Sequence, residues 1–443
     1  MKNLLIVSPR FPPADAPDHH RVRMLLPFLR CHAWKAVVLC VDSEFVEGAA
    51  DANLLRTVPE SVEVVRCRAI PAAWSRPFGI GSLSLRAGLY LRFAGDRLLR
   101  ERSFDLVFFS TTEFPVFTLG PRWHRKFGVP FVLDLQDPWV NPYYRDYRVR
   151  PPGGSLKHAL HQVAARHLEG RVIAEASHII AVSPHYPSTL IKRYPTMRPS
   201  RFSTIPFAGA RRDFEIAAGD ASIQPLFSRD DGRRHWVYAG AVSPGMSKAL
   251  IAFFQAFRRA IDSGLIEPDS ILLHFIGTDY APAGRARERV VPLAEMSGVG
   301  DSVRERVERL PYLSALKSLL NADALLIFGS DDAAYTASKL FTYILARKPL
   351  LTIFHEQSSV TALMRDMNAG VAVTFREEMT PADLANLVFD RWFEHKAFEV
   401  APKGERDLIH PHTDEAVARQ LAGIFDVAVR RSSFIPPGAA NNV

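Results

Sequence analysis

Three residues in one short window, Ser338, Lys339 and Thr342, combine a cation with two hydroxyls. Just upstream, 324–328 is an unbroken apolar run of strand length, followed by a turn rich in Ser, Thr and Asp. Leu340, Phe341, Ile344 and Leu345 then recur at helical spacing as far as Lys348-Pro349, and 350–354 is apolar again. Strand, polar turn, helix, strand is the unit in which an α/β protein turns helix N-terminal amides toward an anion. Ser338 is placed to cap this helix, and Lys339 falls in its first turn. A cation there opposes the helix dipole, so an anionic ligand explains Lys339 better than the helix does. The second place for chemistry is 131–139, where Asp134 and Asp137 interrupt and end an apolar run. A carboxylate at the C-terminal end of a parallel strand stands at the crevice where such sheets take ligands. Asp137 is expected to face that crevice as the catalytic carboxylate, and Asp134 to be structural. The alternative is that Asp137 caps the turn ahead of Pro138.

Repeated strand–loop–helix units must position these residues. Apolar runs at 4–7, 36–41, 62–67, 105–110, 131–135, 178–182 and 202–205 read as the strands of one domain. A second series lies at 235–240, 271–276, 307–310, 323–328, 350–354 and 370–374. No G-x-G-x-x-G follows the first strand, which disfavours a dinucleotide. The expected division is a domain over 1–208, a polar linker over 209–234 and a domain over 235–412. A helix over 413–431 and a tail over 432–443 follow.

At 443 residues, two domains are the default. Three cysteines without a C-x-x-C point to a reduced, cytoplasmic protein with no disulfide frame or zinc site. Met1–Ser8 reads as a first strand rather than a signal peptide, and no apolar run approaches the roughly 20 residues of a membrane span. The net charge of +8 favours anionic partners, nucleotide phosphates or lipid headgroups; no basic-aromatic module suggests nucleic acid. Between Ser82 and Arg102, leucines alternate with Arg86, Arg92, Arg97, Arg100 and Arg102. That is a basic amphipathic helix, suited to an anionic membrane surface or simply to the outside of the first domain.

The segment Ser338-Lys339-Leu340-Phe341-x-Tyr343-x-x-Ala346-x-Lys348-Pro349-Leu350-Leu351 resembles the donor-site segment of family-4-like glycosyltransferases of the GT-B fold. Ser8-Pro9-Arg10-Phe11-Pro12-Pro13 resembles their opening, and Asp137-Pro138-Trp139 a segment found in a subset. The resemblance runs over about residues 1–425 and implies two Rossmann-like α/β domains facing each other across a cleft. It further implies that the second domain holds a nucleotide-sugar donor. Lys248, after the small-residue loop 241–247, and Lys339 would bind its diphosphate. Gly240 would lie at the start of that loop, and the backbone at Leu313 would grip the nucleobase. Where the family places a ribose-binding Glu, this chain has Thr342, whose hydroxyl, helped by Ser338, would bond one ribose oxygen. The first loop would face the acceptor with His20 and Arg21; alternatively those two residues cap the following helix.

The function this implies is retaining, metal-independent sugar transfer from a nucleotide sugar to an acceptor hydroxyl, in cell-surface glycan or glycolipid synthesis. No cofactor beyond the donor is expected. Helix amides and lysines aimed at the leaving diphosphate can replace a divalent cation, and no D-x-D motif is evident. The acceptor would be a glycan or lipid-linked, and the place of action the cytoplasm, at the inner face of the membrane where that contact exists. The competing readings are a non-catalytic GT-B sugar or nucleotide binder and an epimerase of the same fold.

Overall fold

The computed structural model describes residues 1–140, 155–279, 286–332, 335, 339–402 and 409–433. Ser338 and nearly all of the expected tail lie outside the described residues. The chain forms two units, Met1–Pro206 with Glu415–Val443, and Phe207–Asp414.

The first unit is built on seven parallel strands: β1 (Lys2–Val7), β2 (Trp34–Val41), β3 (Glu63–Cys67), β4 (Leu106–Ser110), β5 (Phe131–Leu135), β6 (His178–Ala181) and β7 (Phe202–Thr204). Their order is β3-β2-β1-β4-β5-β6-β7. β1 and β4 are buried on both faces, so their sequences are continuous apolar runs with no alternation. Strand order reverses between β1 and β4, and the loops leaving their C-terminal ends meet there. The helices α1 (His20–Leu29), α2 (Leu83–Glu101) and α3 (Leu119–Phe127) cover the sheet. α2 and α3 approach closely at Gly95, where a Cβ would stand 2.2 Å from the Trp123 ring. The Trp123 indole donates to Asp96 at 2.8 Å.

The second unit has six parallel strands: β8 (Arg234–Ala239), β9 (Ile271–Ile276), β10 (Val303–Arg306), β11 (Ala324–Phe328), β12 (Leu350–His355) and β13 (Val371–Phe375). Their order is β10-β9-β8-β11-β12-β13, so the reversal falls between β8 and β11. Its helices include α4 (Arg211–Gly219), α5 (Ser247–Asp262), α6 (Tyr312–Asn321) and α7 (Leu340–Leu345). Trp236, Phe253, Phe257, Trp392 and Phe393 pack edge and face on one side of the sheet.

Three expectations change. The segment 209–234 is not a linker: α4 lies in it, and Phe214, Ala217 and Ile223 are buried in the core of the second unit. Charged neighbours on the outer face of α4 mask that short apolar stripe in the sequence. The strand expected at 307–310 is β10, four residues earlier. Lastly, α8 (Asp414–Ser433) belongs to the first unit. Its Asp426 accepts from Lys2 Nζ at 2.6 Å and from Trp34 Nε1 at 3.0 Å, and Phe425 packs on Trp34 and Phe108.

Candidate active site

In the second unit the chemistry gathers where β8 ends and α7 begins. Lys339 immediately precedes α7, and its Nζ donates to the Ala239 carbonyl at 3.1 Å. The same ammonium lies 3.8 Å from the centroid of the Tyr238 ring, a cation–π distance. One residue into the next turn, the Tyr343 hydroxyl accepts from Ala239 N at 2.6 Å and donates to Ala239 O at 3.1 Å. The start of α7 is therefore clamped on the last residue of β8. Gly240 follows with φ +146°, and a Cβ there would stand 2.2 Å from Lys339 Nζ, so this position accepts only glycine without rearrangement. Lys339 as a whole residue is half-buried, but its ammonium end is enclosed, and that enclosure pulls it down from 10.5 to about 7. Thr342 sits half-buried in the first turn of the same helix.

Lys248 goes elsewhere. It is in the first turn of α5 as expected, yet its Nζ donates to the Glu377 carbonyl at 2.8 Å and lies 5.6 Å from the Phe375 ring centroid, at the end of edge strand β13. The two lysines thus have separate partners, Ala239 for one and Glu377 for the other. Between them the loop after β11 is tied to the loop after β8, with Asp331 N donating to Gly245 O at 2.9 Å. Leu313, in the first turn of α6, has its side chain fully buried in the core, so only its backbone is left to meet a ligand.

In the first unit, Asp137 follows β5 and is exposed. The groups behind it crowd its carboxyl, and with the nearby Asp18 carboxylate they hold it above the usual carboxylate range. Asp134 is structural, as expected. It is inaccessible to solvent, pairs with Arg21 Nε at 2.9 Å and accepts from Ser110 Oγ at 2.7 Å. Arg21 accordingly departs from its expected place facing an acceptor: its guanidinium is buried on Asp134 and on the Ile205 and Pro206 carbonyls. A guanidinium that satisfies a fully buried carboxylate is held inward by the cost of leaving that charge unpaired. His20 accepts from Arg23 Nε at 3.1 Å through its Nδ1 and is half-buried at the start of α1.

The sequence reading missed the cluster beside them. Arg10, just past β1, binds Asp18 at 3.2 Å with one guanidinium nitrogen and Glu113 with the other. Asp18 is buried and also accepts from Thr111 Oγ1 at 3.0 Å and Thr112 N at 3.3 Å; Gln136 Nε2 donates to its carbonyl at 2.8 Å. These residues leave the C-terminal ends of β1, β4 and β5 at the order reversal. The available signal was the polar run Ser110-Thr111-Thr112-Glu113 directly after an apolar strand. Carboxylates outnumber cations here, which suits hydroxyl donors better than phosphate.

Residues 19–208 match the glycosyl transferase 4-like domain family. No curated protein matches the chain. Among solved structures, HepE of Anabaena in complex with UDP-glucose is similar at TM-score 0.52 and 14% identity, over 98% of each chain. WaaG, a glycosyltransferase involved in lipopolysaccharide biosynthesis, is similar at TM-score 0.51 and 15% identity, over 98% of this chain and 100% of its own. A putative UDP-N-acetylglucosamine 2-epimerase from Listeria monocytogenes has TM-score 0.55 and 10% identity, over 97% of this chain and 98% of its own. At these identities the likeness is one of fold. The first unit thus carries a match to the glycosyl transferase 4-like domain, and over its length the chain has the GT-B fold.

Proposed function

We propose that the protein transfers a sugar, with retention and without a divalent metal, from a nucleotide sugar to a hydroxyl of a glycan or lipid-linked acceptor. Cell-surface glycan or glycolipid synthesis at the inner face of a membrane is the setting that fits such an acceptor. The observation that carries this reading is Lys339, an enclosed ammonium held by a carbonyl and an aromatic ring at the strand-order reversal of the second unit. No carboxylate pairs with it among the described residues. A leaving diphosphate gains charge in the transition state, and a cation set in a water-poor place stabilises that charge strongly. Thr342, with Ser338 four positions earlier in the sequence, would anchor the ribose, and Lys248 would join once released from Glu377. That HepE was crystallised with UDP-glucose supports the donor class. In the first unit, Asp137 would accept the proton of the acceptor hydroxyl. A carboxylate raised above its ordinary pKa is a stronger base than an unperturbed one.

Thermal shift against a panel of nucleotides and nucleotide sugars tests the reading. One nucleotide family should raise the Tm, and Lys339→Ala should abolish most of the shift. If no nucleotide or nucleotide sugar stabilises the parent chain, the transferase reading fails. Thr342 in place of a ribose-binding carboxylate favours one other reading, a non-catalytic binder. Donor binding without turnover on any acceptor would establish it.

A further inference from the structure

We propose that the outer faces of 72–80 and of α2 form a docking surface for an anionic lipid bilayer, mechanically joined to the polar cluster of the same unit. The docking itself stands apart from the transferase reading; that it brings a lipid-borne acceptor to the cluster rests on that reading.

Five large apolar side chains stand out from this region. Trp74 is 73% exposed, Phe78 82%, Leu85 54%, Leu89 60% and Phe93 61%. Leu85, Leu89 and Phe93 recur at four-residue steps and so form one stripe along α2. The stripe is not the face that the core uses: Leu83, Leu91 and Leu98 are buried in the domain core. Trp74 and Phe78 come from the short helix Ala72–Ser75 and the turn after it, upstream of the stretch whose sequence pattern suggested a membrane helix. Single exposed hydrophobics are ordinary, but two aromatic residues and a three-residue stripe in one segment call for a partner.

The charge pattern selects the partner. Between Ile70 and Arg102 stand six arginines against two carboxylates. Three of the arginines have partners within the first unit: Arg86 is buried and donates to the Phe45 and Ile70 carbonyls, Arg76 pairs with Glu47 at 2.5 Å, and Arg102 pairs with Glu63 at 2.7 Å. Arg92, Arg97 and Arg100 lie along the half-exposed and exposed surface of α2, with Arg97 one turn beyond Phe93 and only loosely paired, at 3.7 Å, with the exposed Glu101. Protruding rings and leucines beside arginines match the boundary between acyl chains and anionic headgroups. A second copy of the chain would instead set arginine against arginine. Among the described residues no helix is long and apolar enough to cross a membrane, so the contact is with the surface layer.

The surface is fixed to the site. The Glu113 carboxylate accepts from Ser84 N at 2.8 Å, in the first turn of α2, and its other oxygen holds Arg10, which holds Asp18. One side chain therefore joins the start of the apolar stripe to the cluster at the ends of β1 and β4. An acceptor whose lipid stays in the bilayer would present its headgroup sugar near this junction.

The test is co-sedimentation of the full chain with vesicles of phosphatidylcholine plus phosphatidylglycerol, and with phosphatidylcholine alone. Binding should require the anionic lipid and weaken as salt is added. The double variants Trp74→Ser/Phe78→Ser and Leu89→Ser/Phe93→Ser should each lose about tenfold or more in vesicle affinity. Arg97→Gln/Arg100→Gln should lose several-fold. Because all six side chains are exposed, Tm and any nucleotide-induced shift should stay as in the parent, which separates failure here from failure of the donor reading. Equal binding to both vesicles, no binding, or full binding by the apolar double variants overturns the proposal. A concentration-dependent dimer that those variants break, without vesicle binding by the parent, overturns it in favour of a self-association face.

Discussion

The strand ends of the two sheets are built on opposite electrostatic plans. In the first unit, Arg10 joins Asp18 to Glu113 and Arg21 neutralises Asp134, so both of these cations are already engaged by carboxylates. In the second, Lys339 rests on a carbonyl oxygen and a tyrosine ring, partners that a phosphate can replace at little cost. On the proposed function, the same topological position would serve hydroxyl recognition in one unit and anion recognition in the other. What separates them is whether the cation's partner is a charge or a dipole.

The largest effect that would expose this difference is on stability. Asp134→Ala leaves Arg21 buried without its carboxylate, and should cost about 3–5 kcal/mol in denaturant unfolding of the first unit. Lys339→Ala removes no buried partner and should leave the Tm nearly unchanged. In its place it should weaken nucleotide-sugar binding by about 1–3 kcal/mol by titration calorimetry. Gly240→Ala should weaken the same binding by a smaller amount. Its φ of +146° and the contact with Lys339 Nζ strain any Cβ, at about 1–3 kcal/mol of stability.

The smallest effect expected is a gradual acid destabilisation of the second unit. His274 is lowered to about 4, by burial first and then by neighbouring His235, whose Nδ1 lies 2.9 Å from its Nε2. Its folded pKa is below the ordinary 6.5, so the unfolded chain binds more protons between those values. Stability from this residue is full above 6.5 and falls as pH drops toward 4, by about 1.4 kcal/mol per pH unit at most. His274→Gln should flatten that slope in urea melts across the same range.

The parallel strands were legible because both faces are buried and the runs are uninterrupted, as in 324–328 and 4–7. β10 was misplaced because Arg304, Glu305 and Arg306 give an edge strand no apolar run to read. Lys339 could be singled out because it defies a local rule, the helix dipole. Arg10, Asp18 and Glu113 break no local rule. Their meeting joins residues about a hundred positions apart and depends on which strands are neighbours, which periodicity does not encode. Arg21 was misjudged for the converse reason: a motif position says where a residue is along the chain, while burial decides which way it points.

The central claim is that Lys339 supplies the charge that meets the donor diphosphate. Calorimetric titration of the best nucleotide sugar from about pH 6 to about pH 8.5, on the parent and Lys339→Ala, tests it most directly. Lys339 free is lowered to about 7 by its enclosure, and a bound diphosphate raises it again. Affinity should therefore be greatest below about 7 and fall as pH rises past it, by up to about tenfold per unit, with proton uptake visible in buffers of different ionisation enthalpy. The Ala variant should bind more weakly and without that pH dependence. Equal affinity in parent and variant, or a parent curve flat across the range, would contradict the assignment.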